Sequence, residues 1–147
     1  MTNEDYAGML CEFAGGARGT FEASRTIVGP ESQMAFDAYG TRGAVGWNLE
    51  RMNELQVYFE DDPAGLQGFR TINVTEGVHP YTAHWWPAGH IIGYEHTFTH
   101  AIADLLDGIG KGVNPGPTFA EGFAVQAVLD AVERSVATHD WAAPEKP

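Results

Sequence analysis

Residues 19–50 read GTFEASRTIVGPESQMAFDAYGTRGAVGWNLE. Phe21, Ala23 and Ile27 alternate with Thr20, Glu22, Ser24 and Thr26; Met34, Phe36 and Ala38 repeat the pattern, as do Val45, Trp47 and Leu49. A period of two with one apolar side marks half-buried antiparallel strands, because successive side chains leave a strand on opposite faces. Val28-Gly29-Pro30-Glu31 and Tyr39-Gly40-Thr41-Arg42-Gly43-Ala44 interrupt it with turn chemistry. The stretch predicts hairpins over Arg18–Val28 and Ser32–Glu50, forming the sheet on which the rest of the chain is built.

Working outward, Tyr6–Phe13 alternates in the same way and is turned back by Ala14-Gly15-Gly16-Ala17. Glu54–Glu60, with Leu55, Val57 and Phe59 on its apolar side, and Gly68–Thr75 supply two more strands. Short turns between neighbours imply a meander. The period then changes. Phe98, Ala101, Ile102, Leu105, Leu106 and Ile109 fall at three-and-four spacing, predicting a helix over Tyr94–Ile109 that Gly108, Gly110 and Gly112 bring to an end. Thr118-Phe119-Ala120-Glu121 has the form of a capping box opening a second helix, whose expected buried stripe is Val125, Val128, Leu129, Val132 and Val136. The proline-containing tail from Ala142 is expected to fray. Strands followed by helices give an α+β class: one domain over residues 1–147, an open, largely antiparallel sheet of about six strands with two C-terminal helices packed on one face. That face carries Met9, Phe13, Phe21, Phe36, Trp47, Leu55 and Val57; Leu10, Glu12, Thr20, Tyr39, Gln56 and Tyr58 lie on the open one.

Twenty acidic against eight basic residues give a formal charge of −12, which repels phosphate backbones and anionic lipid and argues against nucleic acid or membrane partners. A hydrophobic content of 44% suits a globular core, and Cys11 alone forms no internal disulfide. The acidic start Met1-Thr2-Asn3-Glu4-Asp5 has no following apolar run and is not a secretory signal, so the expected setting is cytoplasmic.

Between Glu76 and Gly93 periodicity gives way to EGVHPYTAHWWPAGHIIG. His79, His84, His90, Trp86 and Tyr94 are the candidate binding residues, because ring faces suit sugar C–H groups and imidazoles suit hydroxyls. Against this stands the plainer reading, in which the tryptophans plug a sheet edge and the histidines satisfy loop backbone. His96, His100 and Asp104 recur every four residues on the first helix, as metal ligands can, but no fourth ligand accompanies them and no metal site is assigned. Gly108-Ile-Gly-Lys-Gly112 follows a helix and Gly15-Gly16 joins two strands; neither sits between a strand and a helix N-terminus as a phosphate-binding loop must. Cys11 is mid-strand on the apolar side, a poor place for a nucleophile.

One ordered set of segments remains. Glu4-Asp5-Tyr6-Ala7, Phe13-Ala-Gly-Gly-Ala17, Phe21-Glu-Ala-Ser-Arg25, Tyr39-Gly-Thr-Arg-Gly-Ala44, Gly93-Tyr-Glu-His-Thr-Phe98, Pro117-Thr-Phe119 and the Val125–Val132 run resemble the C-terminal domain of the Gfo/Idh/MocA oxidoreductases from about Glu4 to Trp141. The resemblance implies an NAD(P)-dependent sugar or polyol oxidoreductase whose nucleotide-binding Rossmann domain and catalytic Lys lie outside this sequence, so the chain carries no catalytic residue and is inactive alone. It binds NAD(P) only with a Rossmann-domain partner. Glu145-Lys146-Pro147 spells the family's catalytic tripeptide, but no strand precedes it, and the match is chance. The resemblance further implies homo-oligomerisation through the open sheet face and a sugar or polyol wall within His79–Tyr94. Two other readings stand beside it: an accessory or sugar-binding module without redox activity, and a cofactor-free isomerase or lyase using the His-rich segment.

Overall fold

The computed structural model describes residues 4–146; Met1–Asn3 of the acidic start and Pro147 of the terminal tripeptide lie outside them. Six strands precede two helices: β1 (Tyr6–Glu12), β2 (Arg18–Ser24), β3 (Ala35–Gly40), β4 (Gly43–Asn48), β5 (Glu54–Phe59), β6 (Arg70–Asn73), α1 (Tyr94–Lys111) and α2 (Phe119–Thr138). All pairings are antiparallel between sequence neighbours, in a two-stranded sheet β1-β2 and a four-stranded sheet β3-β4-β5-β6. The class is α+β, as the change of hydrophobic period implies. The chain groups into two compact units, one containing Gly29–Leu106 and the other the residues before and after it.

In the unit of Gly29–Leu106 the register pairs Phe36 with Trp47, Val45 with Val57 and Leu55 with Ile72. Opposite residues share a face, so these form one apolar face, whose Val57 is buried. Asp37, Tyr39, Ala44, Gly46, Gln56, Tyr58 and Thr71 share the other by the same register. There Gln56 donates to Thr71 Oγ1 (2.8 Å), and Tyr58 packs on Phe69. The alternation in the sequence thus assigns both faces correctly.

The strand that sequence extends to Val28 stops at Ser24. The Ser24 hydroxyl accepts the Thr26 amide (3.2 Å), a local bond that competes with a ladder and diverts the chain. Ile27 and Val28 are therefore exposed. Past this break, the Glu50 carboxylate accepts the amides of Glu31 and Ser32 (2.8 Å each), closing the loop onto the end of β4 and drawing the Glu50 pKa below its ordinary value.

In the other unit the register sets Met9 opposite Phe21 and Leu10 opposite Thr20. The buried stripe of α2 differs from expectation: Ala127 and Ala131 are buried, whereas Val125, Leu129 and Val136 are exposed. The helix has two adjacent apolar strips, and the small residues form the covered one. On α1, Phe98, Ile102, Leu105, Leu106 and Ile109 are all exposed despite their perfect periodicity. The tail is tied down at its start, because Arg134 donates to the Ala143 carbonyl (2.9 Å) and the Ser135 hydroxyl to that of Asp140 (2.7 Å).

The helix ends follow the sequence closely. Gly112 is left-handed (φ 66°), with Val113 donating to Gly108 O (2.9 Å) and Gly112 to Ile109 O (3.2 Å), the paired bonds of a Schellman motif. At the start of α2 the predicted capping box is present. The Thr118 hydroxyl and amide, both bonded to the Glu121 carboxylate, hold its pKa below the ordinary 4.5. A depressed carboxyl pKa contributes stability above the unfolded value that is lost as pH falls through the folded one. The Thr118 amide resonance should therefore titrate with a midpoint below 4.5, and Glu121→Gln should abolish that titration. A pH-independent wild-type resonance between pH 5 and 2 would contradict the cap.

Candidate functional site

The segment between β6 and α1 has little regular structure, and its order comes from side chains bonded to backbone. Thr75 and Thr82 are the buried polar residues among those described. Thr75 Oγ1 accepts the Gly89 amide (3.2 Å), and the Thr82 hydroxyl is shared between the carbonyls of Glu76 (2.8 Å) and His79 (3.0 Å). Burying these groups is tolerable because each is bonded. At the far end, Asn53 Nδ2 donates to Ile92 O (2.8 Å) while Asn53 Oδ1 accepts from Ile92 N (3.1 Å). One side-chain amide thus replaces a pair of ladder bonds across 39 residues of sequence.

Tyr81 is the segment's one non-glycine residue at positive φ. Its φ of 67° and ψ of −40°, with Thr82 N donating to Pro80 O (2.8 Å), describe a γ-turn of the rare, strained hand. A bulky residue there costs about 1–3 kcal/mol and persists only when its surroundings hold it. The surroundings are visible. The Tyr81 hydroxyl donates to Asp104 Oδ2 (2.8 Å) and its ring stacks on His100 at 4.4 Å between centroids. The bond to Asp104 raises the phenol pKa, so Tyr81 serves as a donor rather than a base.

His100 Nε2 accepts the indole N–H of Trp85 (2.7 Å), and Trp85 meets the edge of His96 at 4.4 Å. His96 Nδ1 in turn accepts the Gly93 amide (3.0 Å), standing three residues into α1 where a capping box would place Glu or Gln. The Glu95 carboxylate lies 3.4 Å from the same nitrogen. An atom accepting from Gly93 bears no proton to donate, so this approach is not an ion pair. The spacing that suggests metal ligation therefore brings His96, His100 and Asp104 into a capping bond and an aromatic cluster.

The five sequence candidates are placed less closely. His79 Nδ1 accepts the Glu76 amide (3.0 Å), and His90 Nδ1 lies 3.0 Å from Pro87 O. Trp86 leans on Trp85 at 6.1 Å, Tyr94 on Phe98 at 5.2 Å, and His84 is exposed at the end of a short turn. No hydrogen bond or ring pair among the described residues joins any two of the five. Sequence reading selects Trp86 from the adjacent pair, whereas Trp85 makes the bond to α1. Nothing in an aperiodic stretch distinguishes them. In the other unit, a groove of about 1010 Å³ runs between β1 and α2, lined by Leu10, Cys11, Phe13, Val132, Val136 and Trp141 among others.

Neither glycine cluster is placed to cradle a pyrophosphate. Gly15-Gly16 turns β1 into β2, and Gly108–Gly112 closes the C-terminal end of α1, where carbonyls rather than amides face outward.

Residues 1–143 match the family model described as the oxidoreductase family, C-terminal alpha/beta domain. The chain belongs to the Gfo/Idh/MocA oxidoreductase family. Over 139 residues, 94% of the chain, it is 37% identical to levoglucosan dehydrogenase of Pseudarthrobacter phenanthrenivorans, covering 35% of that protein. An oxidoreductase domain protein from Kribbella flavida superposes with a TM-score of 0.94 at 43% identity, over 99% of this chain and 38% of that one. Levoglucosan dehydrogenase in complex with NADH and levoglucosan superposes equally well, with a TM-score of 0.94 at 35% identity over 99% of this chain and 39% of that one. The chain thus spans well under half the length of these Gfo/Idh/MocA relatives. Among its described residues no helix is long and apolar enough to cross a membrane.

Proposed function

We propose that this chain supplies the sugar-facing wall of an NAD(P)-dependent sugar or polyol dehydrogenase, with the nucleotide and catalytic groups on a Rossmann domain. The observation that carries the reading is its superposition over 99% of its length on a relative in complex with NADH and levoglucosan. The segment from His79 to Tyr94 is the chemically suited wall. Trp86 and Tyr94 are exposed ring faces, and His84 and His90 are exposed imidazoles for hydroxyls. Hydride transfer needs the partner domain, because neither glycine cluster can cradle a pyrophosphate. The open face of β3–β6, with Tyr39, Gln56 and Tyr58, is the surface through which copies of the chain pair.

The test is a chimera in which this chain replaces the matching C-terminal part of levoglucosan dehydrogenase, assayed for sugar-dependent NADH formation. Activity is expected, and Trp86→Ala should lower kcat/KM at least tenfold by removing a ring platform, on the order of 1.4 kcal/mol or more. A well-folded chimera that binds NADH but turns over no sugar would overturn the reading. Light scattering of the same chimera with Gln56→Lys and Tyr58→Lys should show a smaller assembly; an unchanged mass rules out that face.

A further inference from the structure

We infer that Trp85, Tyr81 and His100 form a clasp that positions the sugar-facing segment on α1, and that His100 acts through one tautomer. This deepens the proposed function and rests on it for its purpose, while the clasp itself rests on geometry alone. The indole N–H of Trp85 is a donor only, so a bond of 2.7 Å to His100 Nε2 requires that nitrogen to be unprotonated. The ring proton must then sit on Nδ1. His96 and His79 accept backbone amides at Nδ1 and are fixed in the opposite tautomer. Three histidines are thereby given defined proton positions, His100 at Nδ1 and the other two at Nε2.

The clasp has a visible load. Tyr81 is held at a positive φ by its bond to Asp104 and its stack on the His100 ring face, and Trp85, four residues on, is held by Nε2 at the edge of that imidazole. Both grips end on α1, one turn apart. Between and beyond them lie His84, Trp86 and His90, none of which bonds to α1 among the described residues. Their placement follows from Tyr81 and Trp85, which are positioning residues and not ligands for the sugar.

The experiment uses the chain labelled with ¹⁵N, without sugar. Long-range ¹H–¹⁵N correlation should show His100 protonated at Nδ1, and Trp85→Phe, which keeps a ring and loses the N–H, should shift it toward the Nε2-protonated form. Amide exchange over Thr82–Ile91 should quicken at least tenfold in Trp85→Phe and in His100→Asn, whose oxygen stands near the Nδ1 position. His100→Gln, whose oxygen reaches toward Nε2, should restore slow exchange. Amides of β1 and α2 serve as the folding control. A wild-type His100 protonated at Nε2, or exchange over Thr82–Ile91 unchanged in both Trp85→Phe and His100→Asn, would overturn the clasp. Titration with levoglucosan reports separately on the sugar reading: a wild type with the expected tautomer, together with a folded, NADH-binding chimera that shows no response to sugar, sinks that reading and leaves the clasp standing.

Discussion

Asn53→Asp should detach the C-terminal end of the candidate segment and lower the melting temperature by roughly 5–12 °C. The wild-type amide is fixed in orientation by its partners, since Ile92 offers one donor and one acceptor and Asn53 answers both. Aspartate keeps the acceptor for the Ile92 amide but turns an oxygen toward the Ile92 carbonyl. A partly buried carbonyl then loses its donor and faces like partial charge, at a cost of about 2–3 kcal/mol. The Asn53 backbone is unaffected, because its carbonyl still accepts from Val74 N (2.9 Å). Exchange should therefore quicken around Ile92 and the first turn of α1 before it does in β5. A melting temperature within two or three degrees of wild type would show that the bidentate bond contributes little.

Gly43→Ala should unpair the end of the β4–β5 ladder, the central strand pair of the four-stranded sheet. Gly43 faces Phe59 across the β4–β5 ladder, and a Cβ added there would run into the backbone carbonyl of Tyr58. A flexible side chain could swing aside, but a carbonyl within a ladder moves only with its strand. The strain of forcing an added carbon into a packed site is about 1–3 kcal/mol, and a lost ladder bond adds about one more. Val57, the buried hydrophobic residue of this unit, lies on the displaced strand, so its burial is lost in the same step. Urea unfolding combined with exchange at Val45 and Val57 is the measurement. A loss of about 2–4 kcal/mol confined to Gly29–Leu106 is expected; a change below 0.5 kcal/mol would mean the strands give way freely.

What sequence reveals here is what depends on neighbours along the chain. Alternation in β1 to β6 fixes which residues share a face, and Thr118 with Glu121 fixes where α2 begins, because both are local. Coverage of a face is a different matter. The α1 stripe is as regular as any buried helix, yet its large side chains face solvent, since periodicity records that a surface is apolar and not what lies against it. The histidines fail for another reason. His96 and His100 sit at a metal-like spacing, but their nitrogens are engaged by Gly93 and Trp85, partners that no spacing rule on α1 contains. Tyr81 reads only as one more ring in an aromatic segment, because a left-handed backbone and a bond to Asp104 leave no mark in composition.

The bare stripe on α1 has a colloidal consequence. Phe98, Ile102, Leu105, Leu106 and Ile109 make a continuous adhesive ridge, and at neutral pH a charge of −12 keeps copies of the chain apart. Repulsion reaches only about 8 Å at physiological ionic strength, whereas the ridge acts on contact and is not screened by salt. Dispersal of the isolated chain is thus a contest between a long-range force that salt and acid weaken and a short-range one they leave intact. As pH approaches the isoelectric point near 4.7 the contest tips toward clumping, so the chain keeps best in dilute, slightly alkaline, low-salt buffer.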